Sequence, residues 1–331
     1  MKSTKAILKR GISLILAICC LLSVGLLSSC TSSKKTVITI NDVPVSNDIF
    51  IYFLDSATVN LGIGADYSAL ESQTVALIYR YYKTNSLAAK EGISLSTAEK
   101  ANVADKVDAT WSVYGDYYKK IGVKRETLTK VFTADAYRDA LMLKIYGKGG
   151  SREISEGQLY ANFQTNYVVF QAITGYLTQI DEFGNTTPLS QNDAETLVLK
   201  FQNILKTVSS GEQTMEEAAA YLVSTGLPGA VQTVVLHKDD ASYPDGFFEQ
   251  IQSLEKRTAT LVSTNEYIFL VIPGEITAQS QYFQDTKDEI LLTFAESGID
   301  TIIDSSIPVT GSVDSETGKG YLDIIRYEKG E

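Results

Sequence analysis

The chain has 331 residues, 44% of them hydrophobic, which is enough for two domains of ordinary size with buried cores. It carries 29 basic and 40 acidic residues, a formal net charge of −11. Such a surface repels phosphate backbones, which excludes nucleic-acid binding as the main activity.

The N-terminal residues form a leader. Lys2, Lys5, Lys9 and Arg10 make a basic head, and residues 11–27 are apolar apart from Ser13 and Ser23. That is the layout of a secretory signal peptide, with a core slightly short for a spanning helix of about 20 residues. The stretch Leu27-Ser28-Ser29-Cys30 resembles the lipobox of bacterial lipoproteins. The resemblance implies cleavage before Cys30 and lipidation of its thiolate, the nucleophile that takes the diacylglyceryl group. The alternative is an uncleaved anchor or cleavage elsewhere. Under the lipobox reading Cys19 and Cys20 leave with the leader, Cys30 becomes the membrane anchor, and no free thiol or disulfide remains. Four basic residues leave too, so 25 face 40 acidic ones, a net charge of −15. That surface also repels anionic headgroups, so acyl chains must hold the protein at the membrane.

Residues 31–35 are a short polar tether. Residues 37–40 alternate as a strand, Asn41-Asp42 is a turn signal, and Pro44-Val45 is a second extended piece. Ser46 is placed to cap a helix with apolar residues at Ile49, Phe50, Phe53, Leu54 and Ala57. Ser68…Glu71, Ser96…Glu99 and Ser155…Gln158 read as capping boxes opening helices to about residues 90, 120 and 164. A further helix spans about 125–146, so residues 46–165 are nearly all helical. The pattern then changes. Residues 168–180 read as a strand rich in β-branched and aromatic residues, and 181–188 as a loop. Helices follow at 190–208 and 214–222, a strand at 231–236, a helix at 244–254, and strands at 258–263 and 267–272. A helical pattern returns over 279–304. The tail, 306–331, reads as polar with one strand-like piece at 321–327.

The stretch "VITINDVPVSNDIFIYFL" resembles the opening of the SurA/PrsA family of extracytoplasmic foldases, with Asp42 where Gly is usual. "ISEGQLYANF" at 154–163 is similar to that family's entry into a parvulin domain. "FGNTTPLSQNDAETLVLKFQNIL", "SGEQTMEEAAAYLVSTG" and "FFEQIQSLEKRTATLVSTNEYIFLVIPGEI" are similar to the domain's first two helices and its closing helix and hairpin. The resemblance implies an α+β fold. A helical SurA-N/trigger-factor-like chaperone domain, split between residues 36–165 and 276–305, holds an inserted parvulin-like β-α-α-β-α-β-β domain at 166–275. It implies binding of unfolded or nascent secreted proteins, no cofactor, and a place outside the cytoplasm at the cell membrane.

Active parvulins carry two histidines and an Asp or Cys. The corresponding positions here fall near Thr174, Ile268 and Gly226, a degenerate set, and the chain holds one histidine, His237. A two-histidine site is therefore impossible, and the expectation is a chaperone whose prolyl isomerase activity is lost. The rival readings are an isomerase with an atypical site, a solute-binding lipoprotein of a transporter, and a structural envelope-assembly protein. A solute-binding protein expects alternating β and α units in two lobes, which the long helical block does not offer.

His237 precedes Lys238-Asp239-Asp240, where a solvated loop is the plainer reading, and no second His or thiolate completes a metal site. Gly147-Lys148-Gly149-Gly150-Ser151 lacks the spacing of a phosphate loop and follows a helix, so it reads as a linker. Phe247 and Phe248 are candidates to line a peptide groove, against ordinary core packing. There are 19 tyrosines against 12 phenylalanines and 1 tryptophan, and Tyr79, Tyr82, Tyr114 and Tyr118 are the candidate peptide-binding rings. Their apolar bodies and polar tips suit loose recognition of extended chains, or equally helix–helix contacts with the hydroxyl in water. The sequence sets no oligomeric state.

Overall fold

A computed structural model of the chain describes residues 35–180 and 186–331. The leader, the lipobox and Cys30 lie outside the described residues, as do residues 181–185 of the expected loop. Two compact units emerge. One takes residues up to Lys83, Asn102–Phe132 and Pro308–Glu331, and the other takes Thr84–Ala101 and Thr133–Ile307. The residues from Pro308 onward join those up to Lys83 in the first unit.

In the first unit, β1 (Ile38–Ile40) lies between β2 (Val43–Pro44) and β9 (Gly311–Val313), antiparallel to both. The β1–β2 turn has Asn41 at φ 47° and Asp42 at φ 65°. Two consecutive positive φ values are those of a two-residue hairpin turn, and Asn and Asp tolerate them better than other non-glycine residues. Register runs from Ile38↔Val313 to Ile40↔Gly311. Glycine is required at 311, since a Cβ there would stand 2.4 Å from the Thr39 carbonyl oxygen and 2.6 Å from the Tyr79 hydroxyl.

Three helices begin in order: α1 (Asn47–Leu61), α2 (Tyr67–Lys90) and α3 (Thr97–Ile121). Ser46 sits at the α1 N-cap with extended backbone. Ser96 and Glu99 form the expected reciprocal box, Ser96 N–H donating to Glu99 at 2.6 Å and Glu99 N–H to Ser96 Oγ at 3.2 Å. Ser68 is not a cap. The helix starts at Tyr67, so Ser68 lies inside its first turn, and Glu71 instead accepts from Ser315 Oγ at 2.6 Å.

The expected strand at 321–327 is a helix, α11 (Ser315–Glu328), capped by Asp314. Gly318, Tyr321, Leu322 and Ile325 are its buried residues, a spacing of 3, 1 and 3 that fits a 3.6-residue period. Ile324 and Tyr327 face solvent, which a period of 2 would not give. The supposed polar tail is thus one strand and one helix. Lys329 clasps it to α1: its Nζ is 2.8 Å from Asp55 Oδ1 and 2.9 Å from Thr58 Oγ1. Tyr117 on α3 donates to the same Asp55 oxygen at 2.6 Å. Burial, and then the bond to Asp55, push the Tyr117 phenol up, so it remains a donor.

In the second unit, α4 (Arg125–Tyr146), α5 (Glu156–Asn166), α9 (Ser280–Asp285) and α10 (Lys287–Ser306) supply one core, α4 through its portion beyond Phe132. Leu141, Phe163, Phe283, Ile290, Ile299 and Ile303 are buried in it. The single helix expected over 279–304 breaks at Thr286. Arg138 ties α4 to α10 by donating to Asp300 Oδ1 at 3.0 and 2.9 Å.

A four-stranded antiparallel sheet follows, ordered β6–β3–β8–β7, from β3 (Tyr167–Tyr176), β6 (Gln232–His237), β7 (Thr260–Ser263) and β8 (Tyr267–Pro273). The expected strand at 168–180 ends at Tyr176. Thr178–Ile180 (β4) instead pairs with Thr186–Pro188 (β5), converting part of the expected loop into a ribbon. Helices α6 (Gln191–Ser209) and α7 (Met215–Ser224) cover one face of the sheet, and α8 (Phe247–Ser253) the other. Ser190 caps α6 as expected, and Thr214 caps α7.

Lys329→Ala removes the cation from the largely buried Asp55 carboxylate. Breaking such a pair leaves an uncompensated charge, and the expected cost is about 2–3 kcal/mol. Urea unfolding followed by Trp111 fluorescence reads it, because Trp111 is the chain's one tryptophan and lies in this unit.

Candidate functional site

The sheet register decides how the expected catalytic positions stand. Thr174 pairs with Phe269, and Ile268 pairs with Gly175. Side chains alternate along a strand and directly paired residues share a face. Thr174 and Ile268 therefore point to opposite faces and are not brought together. Ile268 is 1% exposed in the core beneath α6 and α7, with Ile173, Leu197, Phe201 and Leu222.

Gly226 has a backbone role. With φ at 81° it follows α7, its N–H donates to Val223 O at 3.0 Å, and Leu227 N–H donates to Leu222 O at 3.1 Å. Those two bonds make a Schellman motif, in which glycine takes the left-handed position.

Phe247 and Phe248 are 1% and 8% exposed, within the core between α8 and the sheet. Phe247 stacks with Tyr243 at 5.0 Å and meets Phe269 at 4.8 Å and Phe170 at 5.7 Å. Both are core residues, and Phe248 also borders a small polar hollow with His237, Asp240 and Tyr243. His237 lies at the β6 end with its ring 4.8 Å from that of Tyr167. Asp239 N–H donates to His237 Nδ1 at 3.2 Å, so Nδ1 is the unprotonated nitrogen. Burial lowers the His237 pKa against the opposing Asp239 charge. Among the described residues no group of His, Cys, Asp and Glu is arranged to hold a metal ion.

The tyrosine candidates separate. Tyr79 packs its hydroxyl against β9 at Gly311, a structural position, and Tyr82 is half-buried on α2. Tyr114 and Tyr118 belong to an aromatic cluster on α3 and α1. Tyr118 meets Tyr114 at 6.2 Å, Tyr117 at 5.8 Å, Tyr52 at 6.3 Å and Trp111, stacked, at 6.4 Å. Gly115 makes room for the Trp111 ring, which lies 3.1 Å from where a Cβ would stand. Lys119 Nζ lies over the Trp111 ring, 5.7 Å from its centroid. Tyr114 is 54% exposed and its neighbour Val113 70%. Burial and the Asp55 charge push the Tyr118 hydroxyl up to about 12, so it stays neutral. Sequence reasoning named two of these rings and missed Tyr52, Trp111 and Tyr117. The spacing of Trp111, Tyr114 and Tyr118, at i, i+3 and i+7, was the available signal.

A cleft of about 790 Å³, not foreseen from the sequence, lies at the open end of β3 and β8. Leu189, Leu197, Phe201 and Leu227 supply apolar lining, while Tyr176 and Tyr267 stand at the strand ends. It lies on the α6 side of the sheet, away from Phe247 and Phe248.

No family model matches the chain, and no curated protein matches it. Among solved structures it is similar to foldase protein PrsA of Streptococcus pneumoniae, at 12% identity and a TM-score of 0.37, covering 92% of this chain and 95% of that one. It is similar to PrsA of Lactococcus lactis at 10% identity and 0.35, covering 88% and 99%, and to PrsA of Bacillus subtilis at 10% and 0.29, covering 80% and 87%. No helix among the described residues is long and apolar enough to cross a membrane.

Two glycine variants separate backbone roles from packing. Gly175→Ala would put a Cβ 2.7 Å from the Phe201 ring and 2.9 Å from Ile268 Cγ2. The expected loss is about 2–3 kcal/mol from overpacking. Gly226→Ala meets nothing within 4 Å. It should lose about 1 kcal/mol, the cost of a left-handed backbone alone. Urea midpoints of the two variants check the order.

Proposed function

We propose that the protein is a lipid-anchored extracytoplasmic chaperone that holds unfolded secreted polypeptides and has lost prolyl isomerase activity. The observation that carries this reading is the partly exposed aromatic cluster of Trp111, Tyr114, Tyr118 and Tyr52. These rings offer apolar area with polar tips on helices, a surface that accepts many sequences through weak contacts. The client site then belongs to the helical chaperone domain, residues 36–165 and 276–305. The net acidic surface keeps the holder soluble and favours basic unfolded segments. Lipidation at Cys30 would keep it where secreted chains emerge.

The placement of the expected catalytic positions supports a loss of isomerase activity. Rotation about a peptidyl-prolyl bond faces a barrier of about 18–20 kcal/mol. Lowering it requires a slot that binds the twisted amide more tightly than the planar one. Thr174 and Ile268 face away from each other, Gly226 is a cap, and Phe247 and Phe248 are largely buried against the sheet.

On an Xaa-Pro tetrapeptide the purified chain should leave the isomerisation rate at its uncatalysed value. Robust catalysis that survives His237→Ala would overturn the loss of activity. In an aggregation assay with a reduced, unfolded client, the double variant Trp111→Ala, Tyr114→Ser should need several-fold more protein for the same suppression. Unchanged holding would remove the aromatic cluster from the function. For the anchor, Cys30→Ala should give an unprocessed or released protein, and membrane partition at the mature size would contradict lipidation.

A further inference from the structure

The cleft beside the sheet is outside the proposed client-holding surface and beyond that reading. We propose that it is a second binding site, for a short extended peptide segment with uncharged side chains. Three features of its construction point there.

The floor is built deliberately deep. Gly175 lacks the Cβ that would strike Phe201, so the Phe201 ring lies directly on the β3 backbone. Leu197 and Leu227 extend this apolar floor. Leu227 is fixed by the Schellman bond to Leu222, and Phe201 is fully buried, so the floor is preformed. At about 790 Å³ the cleft falls within the range of about 300–1,000 Å³ typical of small-ligand sites.

The walls offer hydrogen bonds without net charge. Thr178, Gln179 and Thr186 come from the β4–β5 ribbon and Thr196 from α6. Hydroxyls and an amide match the donors and acceptors of a peptide backbone. Among the described residues, each strand of the two-stranded ribbon pairs along one edge only, and the other edge is the template on which an extended chain adds as a strand.

The charges in the lining are one Asp193 and one Lys200, seven residues apart on α6. They are two helical turns apart, roughly 10 Å. Asp193 is already engaged by Ser190, whose Oγ donates to it at 2.6 Å. The opposite signs cancel, so neither an acidic nor a basic side chain finds a matched field, and an apolar one finds the floor. Tyr176 and Tyr267, edge to face at 5.7 Å, stand at the mouth with their polar tips available to the peptide.

The test uses the full chain and fluorescence anisotropy of fluoresceinyl-Gly-Ser-Leu-Val-Leu-Ser-Gly-amide. Thr196 is exposed on the helical wall, so Thr196→Trp fills the cleft without touching the core. Thr186→Trp fills it from the ribbon wall and keeps the test decisive should the first variant misfold, as checked by circular dichroism. Saturable binding is expected, weakened at least about tenfold by a folded plugging variant. Counterparts with Asp or with Lys in place of Leu-Val-Leu should bind at least about tenfold more weakly. Absence of binding, equal binding by the charged peptides, or unchanged binding in a folded plugging variant would each overturn the proposal. So would displacement by octyl glucoside but not by unlabelled peptide, which marks an amphiphile site. Loss of binding by Tyr114→Ala alone would assign the peptide to the aromatic cluster and overturn the cleft while sparing the proposed function.

Discussion

The antiparallel pairing of β1 with β9 closes the chain on itself. Thr39 sits opposite Ser312, Asn41 N–H donates to Thr310 O at 2.8 Å, and Asp314 N–H donates to Val37 O at 2.7 Å. Five residues near the start thereby order the last twenty or so. Once β9 is in register, Asp314 stands where it caps α11, and α11 brings Lys329 to Asp55. A one-residue slip would turn Ile38 and Ile40, both almost fully buried, toward solvent, so burial fixes the register. Contacts between residues so far apart in sequence are entropically slow to form, and the first unit cannot be complete until the chain's end is available.

That closure has a functional side. Asp55 is held between Lys329 and Tyr117, and Tyr117 is next to Tyr118 at the centre of the aromatic cluster. The C-terminal helix therefore braces the helix that presents Trp111 and Tyr114. The rings are set on regular secondary structure, which would limit the entropy lost under the proposed holding of a client. In the other unit, strand alternation sets the candidate positions. It sends Thr174 and Ile268 to different faces and leaves Gly175 as the bare floor against which Phe201 rests.

Much of the fold was legible. Capping boxes at Ser96 and Ser155 are short-range signals with a direct hydrogen-bond meaning, and the helices start there. The tail was misread because Tyr321, Ile324, Ile325 and Tyr327 have strand-forming composition, while the buried subset, visible only with Gly318, repeats helically. Ser68…Glu71 had the spacing of a box, yet Glu71 is used by Ser315, 244 residues away. The site was less legible than the fold. Tyr114 and Tyr118 were found by their aromatic run, but Tyr52 joins them only through packing between helices. The cleft depends on a glycine opposite a phenylalanine 26 residues later, which no local pattern encodes.

Amide hydrogen exchange tests the closure most directly. If both ends form one cooperative unit, the amides of Asn41, Asp314, Leu322 and Ile325 exchange with the same opening free energy as Leu54 in the centre of α1. Exchange of the 311–328 amides orders of magnitude faster than that of Leu54 would contradict it, and would make the C-terminal strand and helix a loose appendage.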